Sequence, residues 1–284
     1  MNISPDKNWT TIITADRRWF DINIKELWQY RDLIALFVRR DFVALYKQTI
    51  LGPLWCVLQP LISTIIFTFI FGFVAKIPTD GLPPLLFYLS GIVLWNYFSV
   101  CLTKTSDLFV ANAAIFGKVY FPRLSVPISI AITSLFTLAI QTTMFIAFLL
   151  FFLYKGAAIQ PNIYIVFVPF VILMVGIMGI GFGIIISSVT TRFRDLSLLT
   201  GFGMQLWMYA SPVVYPLSQV PEKARPFYAL NPLTGPIEFI RFACLGVGTV
   251  SEVMIISSVV ITALVLVLGL SLFSRIEKTF IDTI

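Results

Sequence analysis

The sequence predicts an all-α integral membrane protein with six transmembrane helices, and three observations predict it. Six stretches of the 284-residue chain, 48–75, 81–103, 124–154, 156–191, 196–221 and 253–274, contain no Asp, Glu, Lys or Arg. As a helix the shortest would extend about 33 Å, enough for the roughly 30 Å hydrocarbon core of a bilayer. Hydrophobic residues make up 58% of the chain and charged residues 12%, with a mean hydropathy of +0.92, too apolar for a water-facing surface at this length. The stretches also lack the apolar/polar alternation of barrel strands, and backbone amides in lipid are satisfied only within helices or closed barrels.

Lys and Arg residues are divided unevenly between alternate connections, 15 on one side and 5 on the other, with eight of the 15 in 1–47. Excess positive charge stays cytoplasmic, which predicts both termini inside. The net charge of +6 then needs no nucleic acid as partner, and the basic cluster in 1–47 favours anionic lipid headgroups. No short apolar segment with a small-residue cleavage pattern precedes residue 48, so no signal peptide is expected and the mature chain is expected to start at Met1.

The chain divides into an N-terminal cytoplasmic segment, 1–50, and a six-span domain, 51–284. Residues 1–20 show no clear period. From 24 to 47, Leu27, Ile34, Phe37, Val38 and Leu45 recur at helical spacing with Arg31, Arg39, Arg40 and Lys47 between them, which predicts an interfacial helix. The alternative is a solvated helix packed on a partner, against which Trp28, Tyr30, Phe42 and Tyr46 supply too many apolar sides. Gly52-Pro53 punctuates the start of span one and Pro60 kinks it.

A proline-rich outer turn, Pro78 to Pro84, leads into span two. The inner connection 104–123 is expected to hold a short helix, Leu108 to Phe116, closed by Gly117, whose apolar residues Leu108, Phe109, Ile115 and Phe116 suit a cleft or lipid better than a bare loop; a plain structural turn competes. In span four Gly179, Gly183 and Ser187 share one helical face, permitting close approach of a neighbouring helix, a better reading of its G-x-G fragments than a dinucleotide loop. Prolines 212, 216, 221, 226, 232 and 236 forbid one continuous helix in 212–249, so broken, re-entrant helices are expected on the outer side. There Glu238 and Arg241, three apart, face each other, either as a functional pair or as an ordinary interfacial one.

Catalytic chemistry is missing. The chain has no phosphate-loop pattern, no nucleophile-and-base constellation, no clustered carboxylates and no histidine; Cys56, Cys101 and Cys244 form no metal or disulfide framework. No span carries an ionisable group near its middle, which disfavours ion-coupled transport, so the energy for a passage is expected from an ATPase docked on the cytoplasmic connections. Aromatic residues make up 15% of the chain, and Trp55, Phe67, Phe71, Trp207, Tyr209 and Tyr215 are candidates for lining a translocation path, set against lipid-facing or belt roles.

Taken together, several ordered pieces are similar to a known family. They are Arg39-Arg40-Asp41 with Tyr46-Lys47-Gln48-Thr49, Leu51-Gly52-Pro53-Leu54-Trp55, Leu58-Gln59-Pro60-Leu61, Asn112-Ala113 and Lys118-Val119-Tyr120-Phe121-Pro122-Arg123. Arg194-Asp195, Ser211-Pro212-Val213-Val214-Tyr215, Asn231-Pro232 with Arg241, and the tail Arg275-Ile276-Glu277-Lys278-Thr279-Phe280 follow in order. Over most of 25–284 the chain resembles the membrane permease subunit of type-2 ABC exporters, in the polysaccharide group that serves O-antigen, capsule and teichoic acid.

The resemblance implies a permease homodimer in the bacterial plasma (inner) membrane, bound to two copies of a separate ABC ATPase that holds ATP and Mg, with no cofactor in this chain itself. It implies a cargo of glycan on polyprenyl diphosphate passing between the permeases, as in lipopolysaccharide biosynthesis. Segment 24–47 becomes the gate helix, with Trp28, Arg39, Arg40 and Lys47 as entrance residues, against a reading in which they contact only headgroups or Asp41. Leu108, Phe109, Asn112, Ile115, Phe116 and Lys118 become the ATPase-coupling region, and 226–247, with Glu238 and Arg241, the re-entrant helices at the exit. Closure of the ATPases is expected to push 104–123 and open a route lined by spans one and five. The rivals are a type-2 exporter of a drug or lipid, and a channel or scaffold with no ATPase partner.

Overall fold

The computed structural model describes residues 24–47, 50–116, 119, 121–190 and 195–283, and these form helices joined by turns, with no strand among them. Two helices precede the spans: α1, Ile24–Gln29, and α2, Arg31–Tyr46, separated by a break at Tyr30. Gly52, at φ +51°, and Pro53 turn the chain into α3, Trp55–Phe67, which continues as a π-helical stretch, Thr68–Val74. Pro60 is inside α3, and the Thr64 hydroxyl donates to its carbonyl at 2.7 Å.

Helix α4, Pro84–Ser106, is the centre of the bundle: it is buried along most of its length and packs against α3, against α7, Ser125–Tyr154, and against α8, Val168–Thr190. Close approach of α8 depends on missing side chains. A Cβ on Gly179 would lie 2.8 Å from Cys101 Cβ, and one on Gly183 would lie 2.5 Å from Thr105 Cβ and 2.7 Å from the Leu102 carbonyl oxygen. On the other side of α8, Gly181 meets Val265 and Gly269 of α12, Glu252–Thr283. Glycine removes the spacing that a Cβ imposes, so the three helices stack tightly without water to drive them together.

Five helical segments are long and apolar enough to cross a membrane: Gly52–Val74, Pro84–Ser106, Ser125–Tyr154, Ile163–Thr190 and Glu252–Ser274. The fifth stretch, 196–221, departs from the expectation of a full span. It holds α9, Leu196–Tyr209, only 14 residues long, followed by turns and a single 3-10 turn, Leu217–Gln219. Pro212 and Pro216 remove two backbone donors and stop the helix. A helix of that length covers about 21 Å. Even so, between Thr190 and Val213 the chain passes from Ser106 to Gly91, about 22 Å along α4. Thr190 at the end of α8 hydrogen-bonds to the Ser106 carbonyl, while a Cβ on Gly91 would lie 3.1 Å from the Val213 carbonyl oxygen.

Segment 212–249 is broken as expected, into α10, Arg225–Leu230, and α11, Thr234–Leu245. Pro226 occupies the first turn of α10, where its missing N–H costs nothing, and Gly246, at φ +79°, ends α11 in the left-handed conformation. The last carbonyls of α11 are satisfied from the loop between α7 and α8: Asn162 donates its backbone N–H to Ala243 at 3.0 Å and its side-chain amide to Phe242 at 2.8 Å. The inner connection is not one helix. It forms two single turns, α5, Leu108–Ala111, and α6, Ala113–Phe116, divided at Asn112, whose ψ of 12° interrupts the helical path. Gly117, expected to close it, lies outside the described residues.

Candidate functional site

At one end of the bundle a row of aromatic rings ties together three separate parts of the chain. Phe37, a buried residue of α2, lies 5.6 Å from Phe121, Phe121 lies 5.7 Å from Phe116, Phe116 lies 6.0 Å from Phe109, and Phe109 lies 5.4 Å from Phe273 of α12. Leu108, Val126, Ile130 and Ile184 complete this cluster. Of the expected coupling residues, Leu108, Phe109 and Phe116 are therefore buried in the chain's own core and Ile115 is half-buried. Asn112 is also buried, donating its side-chain amide to the Leu108 carbonyl at 2.9 Å. The outward face is carried instead by Val110, Ala111, Ala114 and Val119, which apolar content alone did not single out. Lys118 lies outside the described residues.

On α2, Arg39, Lys47 and Trp28 are exposed. Arg40 is engaged locally: its Nε donates to Asp41 Oδ1 at 2.9 Å and its guanidinium lies 4.9 Å over the Phe37 ring. Arg39 has no ion-pair partner among the described residues.

The six path candidates separate into two groups. Trp55 and Tyr209 face outward. Phe67 and Phe71 pack on each other at 5.5 Å and both meet Tyr88. Trp207 is wedged between Phe98 and Phe182, each 5.1 Å away, and its indole N–H donates to Asn231 Oδ1 at 3.2 Å. The Asn231 amide in turn donates to the Ala210 carbonyl and the Ser211 hydroxyl, both at 3.0 Å, which binds the end of α9 to the loop before α11. Tyr215 donates to the Tyr209 carbonyl at 2.9 Å and shares a 2.8 Å hydrogen bond with the Tyr228 hydroxyl. The residues that α3, its π-helical continuation and α9 present outward are mostly aliphatic, among them Ile62, Ile66, Leu199 and Leu206, with Phe69 and Phe202.

Glu238 and Arg241 form a pair buried at 2% and 1% exposure, at the end of the bundle opposite the aromatic row. Arg241 Nη1 donates to Glu238 Oε1 at 2.9 Å, Nη2 to the Val213 carbonyl at 3.1 Å and Nε to Ser90 Oγ at 3.4 Å, and the guanidinium lies 3.8 Å from the centre of the Phe87 ring. Glu238 Oε2 accepts from the Thr249 backbone N–H at 2.8 Å. Burial pushes the Arg241 pKa below its ordinary value, and the Glu238 carboxylate opposes that push. The pair thus joins α4, α11, the turn after α9 and the approach to α12. Sequence reasoning found the pair and missed Ser90, Phe87, Val213 and Thr249.

No group of three or more His, Cys, Asp or Glu residues that would hold a metal occurs among the described residues. The long apolar helices around a nearly wholly buried α4 make the chain a multi-pass helical membrane protein. The sequence profile of the ABC-2 type transporter family matches residues 32–245, from α2 to the end of α11, and the chain belongs to that family as its membrane permease subunit. It is similar to the O-antigen export system permease protein RfbA of Klebsiella pneumoniae, 28% identical over 253 residues covering 88% of this chain and 94% of that one. RfbA of Myxococcus xanthus is 29% identical over 212 residues, covering 74% and 79%, and the polysialic acid transport protein KpsM of Escherichia coli is 25% identical over 250 residues, covering 88% and 95%.

Proposed function

We propose that this permease is half of a homodimer that, with two ABC ATPase subunits, exports a polysaccharide across the bacterial inner membrane, and that the cargo is an O-antigen-type glycan carried on polyprenyl diphosphate. The observation that carries the reading is the aromatic row from Phe37 to Phe273. It joins the gate helix, the α5–α6 turns and the end of α12 in one packed unit, so a push on the outward face of those turns moves the gate helix and two spans together. Relatives along most of this chain bear the names of O-antigen and polysialic acid transporters.

Six crossings fit the geometry even though α9 is short, because α8 ends beside Ser106 and the turn after α9 brings Val213 to Gly91. That parity puts α2 and the Phe273 end of α12 on one side, which the excess of Lys and Arg makes cytoplasmic. The outward apolar faces of α3 and α9 support a second copy meeting there, with the route between the copies and Trp55 and Tyr209 on its wall. Lys47 is exposed at the entrance to meet the cargo diphosphate, Arg39 faces the groove between α2 and α7, and Arg40 first has to leave Asp41.

Purification of the tagged protein from its native membrane in mild detergent is expected to recover a phosphate-loop ATPase in equal amount, with ATP hydrolysis. A strain lacking the permease is expected to hold lipid-linked glycan on the cytoplasmic side of the membrane. Recovery of the permease alone after gentle crosslinking, or normal surface glycan in that strain, would overturn the proposal.

A further inference from the structure

A groove of about 740 Å³ runs between α2 and α7, lined in part by Trp28 and Arg39 of the expected entrance. Its walls are apolar: Ile34, Val38 and Phe42 on α2 face Ile132 and Phe136 on α7. From Arg31 to Phe42 the α2 wall is about 17 Å long. One end is closed where the Phe42 and Phe136 rings meet edge-on at 6.0 Å. Toward the other, the Arg31 guanidinium lies 5.7 Å from the Trp28 ring.

Two cations line this otherwise apolar groove, Arg31 and Arg39, and no acidic side chain does. Arg31 reaches Asp32 only at 3.9 Å with both side chains largely in the open, and Arg39 has no acidic partner among the described residues. Asp41, the other carboxylate on α2, is held by Arg40 at 2.9 Å. An occupant therefore needs a hydrocarbon chain for the walls and an anion for the arginines. A free phosphate leaves the walls wet, and a neutral lipid leaves both arginines without a counter-ion. None of the path candidates on α3 or α9 touches the groove.

We infer that the α2–α7 groove binds an anionic phospholipid of the surrounding bilayer, its acyl chain between Val38 and Ile132 and its phosphate on Arg31 and Arg39. The lipid holds the gate helix against α7 and makes its position depend on the charge of the inner leaflet. This assignment stands whatever cargo the permease moves.

The test is native mass spectrometry of the full-length protein, stripped of lipid in detergent and offered phosphatidylglycerol and phosphatidylcholine in equal amounts. The wild type is expected to prefer phosphatidylglycerol by about tenfold or more, and the Arg31→Gln/Arg39→Gln variant to lose that preference at one site per chain. Ala35→Trp, which fills the groove from α2, is expected to abolish retention of either lipid at that site, and Ile132→Trp repeats the test from α7. Melting curves check that each variant is folded. Equal retention by the wild type and the folded variants would overturn the inference. Displacement of phosphatidylglycerol by equimolar polyprenyl diphosphate would also overturn it, by giving the groove to the cargo.

Discussion

Arg241 shows how much one side chain can organise: it reaches Glu238 on its own helix, Val213 after α9 and Ser90 on α4. Removing it leaves a carboxylate buried without its charge partner, which typically costs about 3–5 kcal/mol. Arg241→Ala is accordingly expected to melt much earlier in detergent, while Glu238→Gln with Arg241→Met recovers most of the loss; equal melting of the single variant and wild type would show that the pair is not a joint. The α5–α6 turns, proposed to meet the ATPase, call for the opposite contrast. Phe109 is fully buried, so Phe109→Ala is expected to cost about 3–5 kcal/mol of stability. Val110 is 57% exposed, so Val110→Asp is expected to melt like the wild type and yet to recover less ATPase on purification.

Between elements, the contact of α4 with α8 is set by missing atoms. Gly183→Ala puts a methyl group 2.5 Å from Thr105 Cβ, an overpacking of about 1–3 kcal/mol, whereas Gly201→Ala on α9 meets nothing within 4 Å. Thermal unfolding is expected to separate the two variants clearly, and equal curves would refute the close approach. The Gly179 and Gly183 face was legible from spacing alone, since residues four apart share a side of a helix. The partner of that face was not, because any of several apolar helices satisfies the same spacing.

For the whole molecule, the outward apolar faces of α3 and α9 predict where a second copy docks. Gly203 has nothing near it within the chain, so Gly203→Trp is expected to leave the fold intact and shift size-exclusion profiles toward monomer. Topology has its own test. In a background without Cys56, Cys101 and Cys244, a cysteine at Ser218 is expected to react with an impermeant maleimide in intact cells, and one at Ala114 only after the membrane is breached. Labelling of both from outside would exclude the six-crossing path. Five of the six spans were legible in the sequence because charge-free length translates directly into helix length. In 196–221 the helix is shorter than the uncharged run, because Pro212 lies within that run and freedom from charge says nothing about where a helix stops.

Sequence by itself determined the class of this protein, its apolar segments, the breaks at proline and glycine, and its charge imbalance, since each of these is a local property. Tertiary structure decided which apolar residues are core. In a membrane protein both the lipid face and the packed face are apolar, so Leu108 and Phe109 looked available to a partner until packing buried them and left Val110 outside. It also decided what the buried charges hold. Ser90 and Arg241 stand 151 positions apart, and only the folding of α11 onto α4 brings the hydroxyl to the guanidinium.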